Sequence, residues 1–112
     1  GRDARMLAAA EMEARHEIGA AILRGDVPEI AERYLALAHL LHAGHHARGA
    51  IAELEEALDV VCGGALPCAT SDATAQLLAA LLPLYAEIGD RVAVARTRDR
   101  LDQSVTITMA RP

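Results

Sequence analysis

The chain has 112 residues, a formal net charge of −5, and a composition that is 53% hydrophobic but only 2% aromatic. That length makes one domain with a modest core, and the acidic balance argues against the dense cationic footprint that nucleic-acid binding needs. The longest apolar runs are broken by His, Glu or Arg well short of the roughly twenty residues of a membrane span. Nothing resembles a signal peptide, and a cytoplasmic setting is expected. Alanine fills 25 positions, Phe and Trp are absent, and Tyr34 and Tyr85 carry the only aromatic rings apart from histidine. A core of Ala, Leu, Val and Ile lets helices approach closely, so the expected fold class is all-α. All eleven basic residues are Arg, a bias that a GC-rich bacterial genome accounts for. The first residue is Gly1 rather than Met, which fits an excised domain of a longer protein.

The first predicted helix covers about 3–24, with Leu7, Ala10, Ala14, Ile18, Ala21 and Ile22 as its buried stripe. Gly25 ends it, because glycine accepts the left-handed conformation that terminates helices. Asp26 reads as the N-cap of a second helix over 28–43, with Pro28 in the first turn. That helix buries Ile30, Tyr34, Leu37, Ala38 and Leu41, and Gly44 stops it. The third, over 47–62, has the cleanest period: Ala47, Ala50, Ile51, Leu54, Ala57, Leu58 and Val61 share one face, opposite Arg48, Glu55, Glu56 and Asp59. Two glycines and a proline make 63–70 the one long loop. Cys62 and Cys68 flank it. Two reduced thiols are the favoured reading, with a short disulfide across the loop sterically possible.

Ser71 or Thr70 caps a fourth helix over 71–88, which buries Leu77, Leu78, Leu81, Leu82, Tyr85 and Ile88. Pro83 falls inside it and, having no backbone donor, should kink the helix or lift its local backbone bond. A fifth, over 91–104, starts after Gly89-Asp90 with Val94, Ala95, Leu101 and Val105 inward. Its surface carries Arg91, Arg96, Arg98 and Arg100, for which Glu53, Glu55, Glu56 and Asp59 offer a counterweight. From Val105 to Met109 apolar residues alternate with Thr, so 105–112 reads as an extended tail.

Gly25, Gly44 and Gly63 stand nineteen residues apart, one helix and one turn per interval, the rhythm of an α-helical repeat. Tyr34, Leu37, Ala38, Leu41, Ala50, Leu54 and Ala57 resemble one unit of the tetratricopeptide repeat. Leu78, Leu81, Leu82, Tyr85, Gly89, Asp90, Val94 and Leu101 resemble a second. Arg98 stands where the family has a large apolar residue, and the two units are offset by about forty-four residues against the usual thirty-four. A rival phase, led by the first helix, also fits: Ile18, Gly19, Ile22, Ala31, Leu35 and Ala38. The resemblance implies a short solenoid of about five helices within 1–104. It also implies a concave groove that holds a peptide or a partner helix. Its groove positions fall on Glu32, Ala36, His39 and His42 in the second helix and on Gln76, Ala80, Pro83 and Glu87 in the fourth. The family's best-known subclass clamps an acidic tail with Lys and Asn, and this chain has neither.

His39, His42, His45 and His46 are the most conspicuous polar cluster, and imidazoles one turn apart can chelate zinc, nickel or copper. Gly44 breaks the helix between them, so solvated groove and turn residues are the favoured reading. Glu13 and His16 have the Glu-x-x-His spacing of di-metal carboxylate sites but lack the second copy those sites need. No metal or other cofactor is expected. Ser71 and Ser104 are the only serines, neither in a strained elbow, and no glycine-rich loop joins a strand to a helix. The chain therefore reads as a non-enzymatic protein-interaction domain, with Glu32, His39 and His42 setting the orientation of the partner. An α-helical homo-oligomerisation module, dimeric through its first or fifth helix, is the alternative. A His-based metal-responsive module is the third.

Overall fold

The computed structural model describes residues 2–64 and 71–110, with side chains described for 4–64 and 71–103. Five α-helices follow one another: α1 (Arg2–Arg24), α2 (Val27–Ala43), α3 (Ala47–Val61), α4 (Asp72–Glu87) and α5 (Arg91–Ala110). The described residues contain no strand.

Local chemistry sets most of the boundaries. Asp26 accepts a hydrogen bond from the Glu29 N–H at 3.2 Å and caps α2. Ser71 Oγ accepts from the Thr74 N–H at 3.3 Å, while Thr74 Oγ1 accepts from the Ser71 N–H at 2.7 Å. This reciprocal box uses Thr at the third position, where Glu or Gln is usual. Asp90 Oδ1 accepts from the Ala93 N–H at 3.0 Å and starts α5.

Three helices end in the same pair of backbone bonds. The first residue past the cap donates three positions back and the next donates five back, around a left-handed residue. At α3 the left-handed residue is Gly63 (φ 64°), and at α4 it is Gly89 (φ 77°). At α2 it is His45 (φ 65°), whose neighbour His46 donates to the Leu41 carbonyl at 2.9 Å. Gly44 does end α2, as its C-cap, but with φ −87° it is not the left-handed residue of the turn. Its lack of a side chain serves packing, since a Cβ there would lie 2.6 Å from Leu7 Cδ2 of α1.

Each helix packs on the next, and α2 also packs on α4; among the described residues the backbone of α5 comes close to that of α4 alone. The radius of gyration, 14.8 Å, exceeds the roughly 13 Å of a compact chain this long, as a row of helices would give. The core runs continuously from Ile18 and Ala21 of α1 to Leu77, Leu78 and Leu81 of α4. Tyr34, Leu37, Leu41, Ile51, Leu54 and Leu58 fill its centre.

Several expectations need correction. Ile22 is 40% exposed although its neighbour Ala21 is fully buried, because one residue further along the helix turns the side chain about 100° off the packed face. In α5 the inward residues are Ala93 and Thr97, with Val94 and Leu101 half-buried and Ala95 exposed. So thin a stripe fixed its phase poorly. α5 also continues to Ala110, so 105–110 are not an extended tail. β-branched residues cost a helix only tenths of a kcal/mol, up to about 0.7 each, and no glycine or proline interrupts the run before Pro112. Residues 111 and 112 lie outside the described residues. Cys62 is disulfide-bonded, against the expectation of reduced thiols. The only other cysteine, Cys68, lies outside the described residues, as do most of the loop and Thr70.

Candidate functional site: a groove between two helices

The packing of α2 on α4 leaves a cavity of about 350 Å³ between them, lined by Leu35, Ala38, His39, His42, Leu54, Ala80, Pro83, Leu84 and Glu87. Its floor is apolar because Leu54 of α3, fully buried, and Ala38 both line it. Ala38 and Ala80 are too small to fill the space above it. At the C-terminal ends of both helices the imidazole Nε2 of His42 lies 3.1 and 3.2 Å from the two carboxylate oxygens of Glu87. Both side chains are about half exposed, so the contact spans the mouth of the groove rather than sealing it.

Five of the eight groove positions assigned from sequence are thus brought together: His39, His42, Ala80, Pro83 and Glu87. Glu32, Ala36 and Gln76 are exposed and do not line the cavity. Glu32 lies seven residues before His39 and Gln76 seven before Pro83, so each extends a cavity-lining stripe toward the helix N-terminus. Ala36, at the same offset on α2 as the cavity-lining Ala80 on α4, is exposed and outside the lining. The reading of the residues missed Leu35, Leu54 and Leu84 as walls. Leu35 could have been found as an apolar residue beside the core stripe; Leu84 belongs to the core itself but falls outside the stripe expected for the fourth helix. Leu54 could not, because its reach beneath the groove depends on how α3 crosses α2 and α4.

Pro83 leaves the Ala79 carbonyl without its usual helical donor, and α4 runs through it unbroken. The proline is exposed, so water can satisfy that carbonyl on the groove side.

A second recess of about 760 Å³ lies at the α2–α3 turn, where Glu11 and Arg15 of α1 face His45, His46, Arg48 and Glu53. It is largely self-neutralised. Arg15 donates to Glu53 at 2.7 Å and to Glu11 at 3.1 Å, tying α1 to α3. Glu53 is therefore matched to α1 and not to the arginines of α5. Glu56 accepts a hydrogen bond from the Tyr34 hydroxyl at 3.3 Å. Burial first, then the Glu56 carboxylate, push the Tyr34 phenol up to about 12. Burial and Glu55 push Tyr85 likewise to about 12. Glu55 thus faces Tyr85, and with Arg96 and Arg100 of α5 it rims a smaller cavity of about 250 Å³.

His39, His42, His45 and His46 are all exposed, and the left-handed turn at His45 separates the first two from the last. Glu13 and His16 lie exposed on α1. Among the described residues, no three His, Cys, Asp or Glu side chains gather as metal ligands would. No helix among them is long and apolar enough to cross a membrane. Comparison with protein-family models, curated proteins and solved structures finds no match to this chain.

Proposed function

We propose that this is a non-enzymatic protein-interaction domain of the tetratricopeptide-like kind, which holds a peptide or partner helix in the groove between α2 and α4. The observation that carries the reading is the apolar cavity where those helices meet, rimmed by His39, His42 and Glu87. The helix pairing supports it. α2 packs on α4, as the leading helices of successive hairpins do, whereas α1 has no comparable backbone packing on α3. That favours hairpins α2–α3 and α4–α5, with α1 as an extra flanking helix, over the phase led by α1. A scaffold or regulatory role inside a larger bacterial protein fits such a module.

The test is a peptide-display selection against the protein, with the winners measured on an Ala80→Gln variant that fills the groove without adding charge. Groove binding predicts at least a tenfold loss of affinity. Winners indifferent to Ala80→Gln, or no winners, overturn it.

One observation favours the oligomerisation reading. α1 leaves Met12 73% and Leu23 89% exposed, on the side opposite its packed face. Sedimentation from micromolar to millimolar protein decides this: a dimer disrupted by Met12→Glu supports it, and a monomer throughout removes it.

A further inference from the structure

The distribution of charge around the groove says which partner it suits. α2 and α4 together carry four carboxylates, Glu29, Glu32, Asp72 and Glu87, against one guanidinium, Arg33. That guanidinium is engaged, 3.2 Å from Glu17 and 4.0 Å from Glu29. α4 has no basic residue at all. Glu29 and Asp72 sit in first turns, where a carboxylate matches the positive end of the helix dipole. Glu32 and Glu87 have no such match; Glu87 rims the groove, and Glu32 lies outside the cavity, two turns before His39 on α2.

The geometry at the groove's end adds to this. His42 and Glu87 meet where α2 and α4 both terminate, so the partially negative carbonyl ends of two helices converge beside the Glu87 carboxylate. Among the described residues the imidazole of His42 is its hydrogen-bonded partner; Arg15, already paired with Glu11 and Glu53, and Arg48 share the neighbouring recess that Glu87 also borders, and the site is open to solvent. A cationic side chain arriving there meets one formal negative charge and two helix termini of the same sign. The cavity, at about 350 Å³, holds about a dozen heavy atoms at a water-like ~30 Å³ each. That is room for one or two large apolar side chains.

Resting on the groove reading above, we infer that the groove takes a basic amphipathic segment of a partner protein. Its apolar side chains lie against Leu35, Ala80 and Leu84, and an Arg or Lys one turn further on reaches Glu87. The flank of α5 bearing Arg91, Arg96, Arg98 and Arg100 takes no part in this contact.

The experiment uses three labelled helical peptides with one apolar stripe, flanked by Arg, Gln or Glu, and fluorescence anisotropy at low and high salt. The Arg peptide is expected to bind at least tenfold tighter than the Glu peptide, with the gap narrowing in salt. Glu87→Gln should weaken the Arg peptide about three- to fivefold and leave the Gln peptide unchanged. Asp59→Asn, on the outer face of α3, should change neither. Equal affinity for the Arg and Glu peptides, with loss on Ala80→Gln, overturns the charge inference while leaving the groove standing. An equal effect of Asp59→Asn and Glu87→Gln reduces the preference to bulk attraction and also overturns it. Failure of all three peptides to respond to Ala80→Gln overturns the groove itself, and the inference with it.

Discussion

His45 occupies the left-handed position that glycine fills at the ends of α3 and α4. A residue with a Cβ costs roughly 1–2 kcal/mol in that conformation, while glycine costs roughly 0.4–1 kcal/mol through the greater freedom of its unfolded chain. The balance makes His45→Gly stabilising by about 0.5–1 kcal/mol, read as a raised midpoint in urea denaturation. The two tyrosines give a second residue-scale prediction. Both phenols are held at about 12 in the folded protein, against about 10 when unfolded. Between those values the folded chain keeps protons that the unfolded chain has lost, so stability falls as pH rises from about 10 to 12. Absorbance near 295 nm at rising pH should show no tyrosinate until about pH 11 or unfolding, whichever comes first. A titration centred on 10 while the far-ultraviolet dichroism stays native would contradict it.

At the scale of the element, α4 depends on its cap. Ser71→Ala removes the acceptor for the Thr74 N–H and should cost about 1 kcal/mol, a fall of about 4 °C in Tm for a chain of this size. Thr74→Ser keeps the hydroxyl that accepts from the Ser71 N–H and should preserve most of the cap. How much of each helix was legible follows from the strength of its pattern. α2 and α3 show apolar residues at every expected step, and their inward faces match the reading closely. Asp26, Ser71 and Asp90 announced their helices by side-chain chemistry that acts within three residues. α5 has few large apolar residues between Arg91 and Leu101, so nothing in its sequence fixed whether Val94 or Ala93 turns inward. Its length was misread because alternation of Thr with Val and Ile mimics a strand, while the helix already formed upstream decides the backbone. The groove was half legible: the pairing of α2 with α4 could be guessed from a repeat. Which turn of each helix forms the cavity depends on their crossing, which no local signal encodes.

For the whole molecule, the unequal sharing of the core sets the order in which it opens. The continuous buried cluster draws on α1 to α4, and the described side chains of α5 add to it only the half-buried Leu101. Ala93 and Thr97 are the buried side chains among its described residues, and α4 is its one close backbone neighbour there. α1, at the other end, packs along α2 and is further tied by Arg15 to Glu53 and by Arg24 to Glu29. Exposed ion pairs of this kind contribute at most about 1 kcal/mol each, so α1 too is held less firmly than α2 or α3. Regions with few buried apolar contacts open at lower free energy than the global transition. Native-state hydrogen exchange should therefore show α2 and α3 exchanging only through global unfolding. The amides of α4 should be close behind, and those of α1 and α5 should exchange through separate, cheaper openings. The groove lies between the two most central contacts, so a bound segment should raise protection in α2 and α4 while leaving α5 unchanged. Uniform protection across all five helices would mean that the row folds as one inseparable unit, and that α5 is held by more than the face it shares with α4.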